Sequence, residues 1–189
     1  MSRAYRIRVG ASVTRVIRGE DHVSCQLEVL EILPKEAMAE LLAQELINDG
    51  FQREGDLLIR KQGNITIEVD AQTAVVTVRV EQSEEVTLES ARDGYVIEEE
   101  LDQKEKHEQA LEEELQKQLN KDIDREEQKL VQEATDELER HLGDIKGQLD
   151  QAVNRATAGA LKQKAKQLGQ IKEMTEDAAT GSLTIVVEV

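Results

Sequence analysis

Apolar and polar residues alternate along the first part of the chain in the period-two pattern of half-exposed strands. The alternation covers residues 5–9 and continues, after a second apolar set at 13–17, from Val23 to about Leu33. Between these stretches lies Gly19-Glu20-Asp21, whose composition is typical of a turn. The pattern therefore predicts separate strands with a turn near residue 20.

A helix and three further strands are predicted next. Pro34 occupies a position that the first turn of a helix tolerates, apolar residues at 38–47 follow helical spacing, and Gly50 is a suitable end. The three strands each follow turn residues and cover 57–60, 65–69 and 75–80. Antiparallel strands with one helix predict a small α+β domain over residues 1–92.

One apolar stripe at helical spacing runs from residue 111 to Leu168, with no intervening proline and with Gly169 as a stop. It predicts a helix over residues 97–169, about 105 Å long and too long to fold back along its whole length onto a small domain. The stripe repeats about every 3.8 residues, whereas a left-handed supercoil needs about 3.5, which favours straighter antiparallel pairing. The predicted helix-pairing core consists of Leu111, Leu115, Leu119, Ile123, Leu130, Leu138, Leu142, Ile145, Leu149 and Val153.

Charge divides this helix into two parts. Residues 98–139 hold 17 acidic and 6 basic residues, whereas residues 140–170 hold 2 acidic and 6 basic ones. Antiparallel pairing would lay the basic part beside the acidic part of a second helix. The predicted basic pairing segment comprises Arg140, Lys146, Arg155, Lys162, Lys164 and Lys166.

Two arrangements give such pairing. Two chains can cross with one continuous helix each, as a homodimer, or Gly143 and Gly147 can break the helix into a hairpin within one chain. We favour the continuous helix, because the apolar stripe keeps its phase through these glycines and each helical glycine costs only about 1 kcal/mol.

The chain closes with residues 170–189, which are predicted to form a β-hairpin that packs on the α+β domain of its own or a partner chain. The predicted fold class is α+β: a small unit of antiparallel strands and one helix, a very long charged helix or antiparallel helical hairpin, and this hairpin. The predicted domains are residues 1–92, 97–169 and 170–189.

Composition narrows the expected partners. With 40 acidic and 24 basic residues the chain has a formal charge of −16, which disfavours nucleic acids and anionic membranes. A single cysteine and the lack of any apolar run of about 20 residues predict a cytoplasmic protein. Aromatic residues are only 2% of the chain, so neither a cofactor nor a small-molecule substrate is expected.

No catalytic motif occurs in the sequence, and we expect a protein without enzymatic activity. His22 and Cys25 lie three residues apart beside Asp21, but alternation along a strand puts positions 22 and 25 on opposite faces. A metal-binding protein that uses Asp21, His22 and Cys25 is therefore a remote alternative. Cys25 is expected to be a small buried apolar residue.

Several segments of the chain carry a resemblance to a known family. They are residues 1–9, 20–24, 149–155, 171–177 and 180–189. Together they resemble a bacterial accessory-domain family of ternary systems, which combine FtsH-like or MoxR-like AAA+ ATPases, von Willebrand A-type domains and β-propellers. The resemblance spans nearly the whole chain and implies a non-catalytic partner or adaptor in an ATPase-linked complex, with no active site to transfer.

These observations predict a scaffold or adaptor that self-associates through its long helix and joins a larger, AAA+ ATPase-linked bacterial complex. The alternative is a regulatory or substrate-handling subunit that docks an ATPase through the acidic segment, residues 98–139. The expected partners are a second copy of the chain and AAA+ ATPase or von Willebrand A-type proteins.

Overall fold

A computed structural model of the chain describes residues 3–177 and 182–188. Its strands are β1 (Ala4–Gln26), β2 (Gln52–Glu54), β3 (Leu57–Gln62), β4 (Ile65–Asp70), β5 (Val75–Ile97), β6 (Gln170–Asp177) and β7 (Ser182–Glu188). Its helices are α1 (Lys35–Asn48), a 3-10 helix (Glu98–Gln103) and α2 (Lys104–Leu168). An antiparallel sheet, one long helix and a terminal strand pair confirm the predicted fold class.

Strands β1 to β5 form one sheet in the order β1-β5-β4-β3-β2. β4 is antiparallel to both of its neighbours, and its apolar residues Ile65, Ile67 and Val69 are buried. Along β5, however, β4 pairs only with Val75–Val80. Beyond that point, β5 continues with β1 as its sole hydrogen-bonded neighbour among the described strands.

Contacts divide the chain into two compact units, each made of two stretches of sequence. Unit 1 comprises Met1–Asp21 with Glu81–Asp136, and unit 2 comprises His22–Val80 with Glu137–Val189. The predicted division kept the strands of residues 1–92 apart from the helix. Each of the two units combines strand and helix residues, because the apolar stripe of α2 packs on elements of its own chain.

Unit 1 contains a two-stranded antiparallel ribbon, made of residues 4–21 of β1 and 81–97 of β5. The Glu98 N–H donates to the Arg3 carbonyl at 2.9 Å, and the hydroxyls of Thr14 and Thr87 lie 2.9 Å apart. Odd-numbered residues of β1 and even-numbered residues of β5 face α2 and include the buried ones. The core cluster consists of Ile17, Ile123 and Leu130, with Val13, Val86 and Leu88 packed against it.

The turn predicted at Gly19-Glu20-Asp21 is wrong, because these residues lie inside β1. Gly19 faces α2 at a point where the helix backbone comes very close. A Cβ atom added to Gly19 would lie only 2.4 Å from the Leu130 carbonyl oxygen. This glycine therefore allows a close approach of strand and helix, which is the other common reason for glycine within a strand.

Unit 2 holds the larger core. Helix α1 begins after Pro34 and is followed by Gly50 at a φ of +89°, as the sequence predicted. Its buried residues include Leu42 and Leu46, at 1% and 0% exposure. Leu33 and Met38 pack with Ala160 of α2. The α1 helix is thus held between the sheet and residues 137–168 of α2, within one unit.

Helix α2 is continuous through Gly143 and Gly147, which confirms the favoured prediction of an unbroken helix over a helical hairpin. A Cβ atom at either glycine would meet nothing within 4 Å. The glycines therefore mark neither a turn nor a close contact.

The C-terminal hairpin is also confirmed. β6 and β7 pair antiparallel as a separate two-stranded sheet in unit 2, with Ile171 opposite Val187 and Met174 opposite Ile185. The turn predicted between them falls partly on residues 178–181, which lie outside the described residues, as does Val189. Packing of this hairpin on the α+β domain stays a prediction.

Candidate protein-interaction surface

The predicted helix-pairing core lies inside the chain's own structure. In unit 1, Leu115 and Ile123 are exposed by 1% and 0%, and in unit 2 Leu149 is exposed by 4%. Leu119, Leu130, Leu138, Ile145 and Val153 are also buried, and Leu111 and Leu142 are half-buried. These side chains pack on their own sheet, so a second helix could reach them only after that packing was lost.

Two arginines on the strands of unit 1 interact with the acidic part of α2. Arg92 of β5 donates to Glu114 Oε2 at 3.0 Å and to Gln118 Oε1 at 3.3 Å. Arg15 of β1 lies 3.9 Å from Asp124. Both arginines are on the helix-facing side of the ribbon, and they complement the helix charge without any second chain.

The basic pairing segment has partners of its own in unit 2. Arg155 donates to Glu45 Oε2 at 2.8 Å and to Asp49 Oδ2 at 2.6 Å, both on α1 or at its end. The hydrogen bonds to Glu45 and then Asp49 raise the pKa of Arg155 above its ordinary value. Arg140 and Lys162 also interact with other groups, whereas Lys146, Lys164 and Lys166 are exposed.

A set of carboxylates is open to solvent on the 3-10 helix and on α2 in unit 1, where Lys106, Lys117 and Lys121 are exposed as well. Each of these carboxylates is exposed, and none has an ion pair within residues 3–177 and 182–188. We define this acidic surface as Asp102, Glu105, Glu112, Glu113, Glu127 and Glu133. Exposed like charges that have no partner in their own chain attract a basic protein surface.

The remote metal-binding alternative gains no geometric support. Asp21 accepts a hydrogen bond from Thr135 Oγ1 at 2.9 Å. Cys25 is exposed, so its predicted burial is wrong: it stands on the α2-facing side of β1, where the helix does not cover it. Across the described part of the chain, no three histidine, cysteine or carboxylate side chains are grouped as a metal site requires.

The family model described as FtsH ternary system domain X5 matches residues 1–189, the entire chain. The chain belongs to this family. The match confirms the resemblance found in the sequence, and it makes this protein an accessory domain of an FtsH ternary system. No curated protein and no solved structure matches the chain.

The X5 domain also has a groove in unit 2, beside Cys25. It has a volume of about 690 Å³ and lies between Val76 and Val78 of β5 and Ile145 and Leu149 of α2. No sequence pattern indicated this groove, since neither composition nor residue spacing shows where a helix and a sheet leave a space between them.

Over residues 3–177 and 182–188, no helix of the X5 domain combines the length and the apolar composition of a membrane-crossing segment.

Proposed function

We propose that this X5 domain is a non-catalytic adaptor that docks another component of its FtsH ternary system through the acidic surface. The AAA+ ATPase is the expected partner. The observation that supports this proposal best is the set of exposed carboxylates on the 3-10 helix and α2 that have no ion pair within the described residues. Family membership supports the wider statement, that the domain works with other components of the system.

Electrostatics supports a basic partner surface. Residues 81–136 hold 20 acidic and 7 basic residues, so most of the chain's charge of −16 lies in this stretch of unit 1. Such a field accelerates association with a surface of opposite sign and repels acidic proteins. Association should therefore weaken as salt rises, because the Debye length falls from about 10 Å at 0.1 M to about 3 Å at 1 M.

Charge reversal tests the proposal. The tagged domain is co-expressed with the ATPase of the same system and captured at low salt. Glu112→Lys with Glu113→Lys should reduce capture of the ATPase at least about tenfold, the equivalent of about 1.4 kcal/mol. Equal capture by this variant and the unaltered domain would contradict docking through the acidic surface.

The matched control reverses two exposed carboxylates of unit 2. Glu31→Lys with Glu54→Lys makes the same change in net charge, and neither residue has an ion pair among the described residues. Capture should remain within about twofold of the unaltered domain, since only long-range attraction changes. If both double variants lose capture equally, overall charge and not this surface determines binding.

A scaffold that self-associates through its long helix is the second candidate. The uneven charge of α2 favours it, with 17 acidic residues in 98–139 and 6 basic residues in 140–170. The burial of Leu115, Ile123 and Leu149 weighs against it, because pairing would require these side chains to leave their sheet. Accordingly, we give the adaptor role precedence over the helix-paired dimer.

A further inference from the structure

The ribbon of unit 1 has two open edges. β1 is the outermost strand of its sheet, so one of its edges has no neighbour among the described strands. β5 is covered by β4 only along Val75–Val80, which leaves the edge of residues 81–97 open as well. An open edge presents unpaired N–H and C=O groups and is a template for a further strand.

The register of the ribbon identifies the backbone groups at each edge. Arg3 and Glu98 form a hydrogen-bonded pair, and directly opposed pairs alternate between bonded and non-bonded along an antiparallel ladder. Thr14 and Thr87 keep the same register and form a non-bonded pair, consistent with the 2.9 Å between their hydroxyls. Even-numbered residues of β1 and odd-numbered residues of β5 therefore direct their N–H and C=O groups outward.

The same residues carry side chains on the face that α2 does not cover, and their charges differ in sign between the strands. On β1 between Ala4 and Asp21 this set contains three arginines and one carboxylate: Arg6, Arg8, Arg18 and Glu20. On β5 from residue 81 onward it contains four carboxylates and no basic residue: Glu81, Glu85, Glu89 and Asp93. One edge is thus basic and the other acidic.

Part of this charge is neutralised inside the chain and part is not. Arg6 forms an ion pair with Asp93 across the ribbon. Glu85, Glu89 and Arg18 are exposed and have no ion pair within the described ranges of the chain. No proline lies in either strand to block pairing, since the only proline of the sequence is Pro34.

We propose that copies of this chain associate edge to edge, with the β1 edge of one copy adding to the β5 edge of the next. Like charges directly opposed on paired strands are destabilising, so β1 with β1 and β5 with β5 are disfavoured. Opposite charges favour pairing of the β1 edge of one copy with the β5 edge of another. Backbone hydrogen bonds supply the attraction, and the charges select which edges meet.

This contact has a consequence for assembly size. A β1-to-β5 contact is heterologous, so a pair of copies retains one open β1 edge and one open β5 edge. Assembly then continues into a ring or an open chain of copies. A helix-paired homodimer would instead be a closed pair, and the two arrangements differ in their dependence on concentration.

Sedimentation velocity on charge-reversed variants tests the proposal. The unaltered chain should exceed the mass of two 21.2 kDa copies as concentration rises. Ser83→Lys with Glu85→Lys and Glu89→Lys gives a chain with two basic edges, because three lysines on β5 then outnumber Glu81 and Asp93. Arg8→Glu with Arg18→Glu gives a chain with two acidic edges. Each variant alone should sediment as a monomer, because every available edge pair is now repulsive.

The mixture of the two variants is the decisive measurement. Combined in equal amounts, they offer basic edges to acidic ones again and should regain the mass distribution of the unaltered chain. Regained association also shows that both variants are folded. A chain that stays monomeric at all concentrations, a closed dimer unaffected by either variant, or a mixture that remains monomeric would overturn the proposal.

A proline variant tests the backbone part separately. Ala91 is an odd-numbered residue of β5, so its N–H faces the open edge, and Ala91→Pro removes an outward donor without removing a bond to β1. This variant should sediment as a monomer with an unchanged circular dichroism spectrum. Glu112→Lys with Glu113→Lys, reversed on α2 and away from both edges, should associate like the unaltered chain.

Discussion

The two units share β1, β5 and α2, yet they bury very different amounts of apolar surface. Among the described residues, 8 buried apolar side chains belong to unit 1 and 23 to unit 2. In unit 1 the helix covers one face of a two-stranded ribbon. In unit 2 the sheet gains β2, β3 and β4, and α1 adds a second helix. The number of elements that pack together therefore decides the size of each core.

The excess of acidic residues is larger in the unit with the smaller core. Unit 1 holds 22 acidic and 12 basic residues, whereas the longer unit 2 holds 18 and 12. Regions with few buried contacts and many solvated groups open at lower free energy than the rest of a protein. The comparison teaches that the larger core stabilises unit 2, while unit 1 carries the charged surfaces through which we propose that partners and copies bind.

The largest expected effect on stability comes from truncating a buried side chain in the core of unit 1. Ile123 is 0% exposed in unit 1, and Ile123→Ala should reduce the free energy of unfolding by about 2–5 kcal/mol. In native-state hydrogen exchange, the amides of residues 104–136 should lose protection while those of β3 and β4 keep theirs. Ile67→Ala in β4, also 0% exposed, is the matched variant in unit 2. Equal loss in both units from either substitution would show that they unfold as one.

The close approach of Gly19 to α2 gives the next effect. Gly19→Ala would drive a Cβ atom to 2.4 Å from the Leu130 carbonyl oxygen, so strand or helix must shift. We expect a loss of about 2–3 kcal/mol in urea unfolding, confined to unit 1. Gly10→Ala on the same strand is the control, since its nearest neighbour would be the Ser90 carbonyl at 3.9 Å. Tolerance of both substitutions alike would show that helix and strand separate easily here.

Replacing the two glycines in the unit 2 part of α2 should increase stability. Gly143→Ala with Gly147→Ala adds two methyl groups that meet nothing within 4 Å. Because alanine is favoured over glycine in a helix interior by about 1 kcal/mol, the double variant should gain about 1–2 kcal/mol in thermal unfolding. A loss of stability would indicate that this stretch needs the freedom of glycine, and it would weaken the contrast between a rigid unit 2 and a softer unit 1.

The smallest effect concerns the turn between β4 and β5. Asp70 Oδ1 accepts from the N–H groups of Gln72 at 2.8 Å and Thr73 at 3.1 Å. The Thr73 side chain, and then these backbone groups, lower the pKa of Asp70 below its ordinary value. A lowered folded-state pKa stabilises the protein above the unfolded-state pKa of about 3.9, and the contribution is lost as pH falls through the folded-state value.

Asp70→Asn keeps an acceptor but has no titrating charge. At about pH 6 the unaltered chain should be more stable than this variant by less than about 1 kcal/mol. That difference should close as pH falls below the folded-state pKa of Asp70, in urea unfolding followed at several pH values. A difference that persists in strong acid would contradict the assigned role of the charge.

Local patterns of the sequence predicted most elements of the fold but not the length of the strands. Alternation identified parts of β1 and β5, and the stripe with Gly169 identified α2 and its end. The strand was predicted to stop at Gly19, because glycine beside two carboxylates is common in turns. Only the tertiary contact with Leu130 explains this residue, and no local pattern contains that contact.

The charge of the candidate interaction surface could be predicted from the sequence, whereas its binding role stays a proposal. The acidic segment of residues 98–139 was recognised from charge alone, and its exposed carboxylates remain the candidate surface. The strands on which the apolar stripe of α2 packs were not predicted, since periodicity shows that a helix face is buried without showing what buries it. Arg15 and Arg92 were missed for the same reason: each stands on a strand, and only the fold brings it to the helix.

β5 has a neighbouring strand on both sides along one stretch and on only one side along the next. Amide exchange in the first stretch can therefore serve as the reference for exchange in the second. From Val75 to Val80 the strand has a partner on both sides, so amide exchange there should be slow at every residue. In a variant that stays monomeric, slow and fast amides should alternate one by one from residue 81 onward, with the odd-numbered ones fast. A single NMR spectrum recorded after transfer to heavy water would thus compare amide exchange in the two stretches. An added molecule that binds the open edge would slow the odd-numbered amides and remove the alternation.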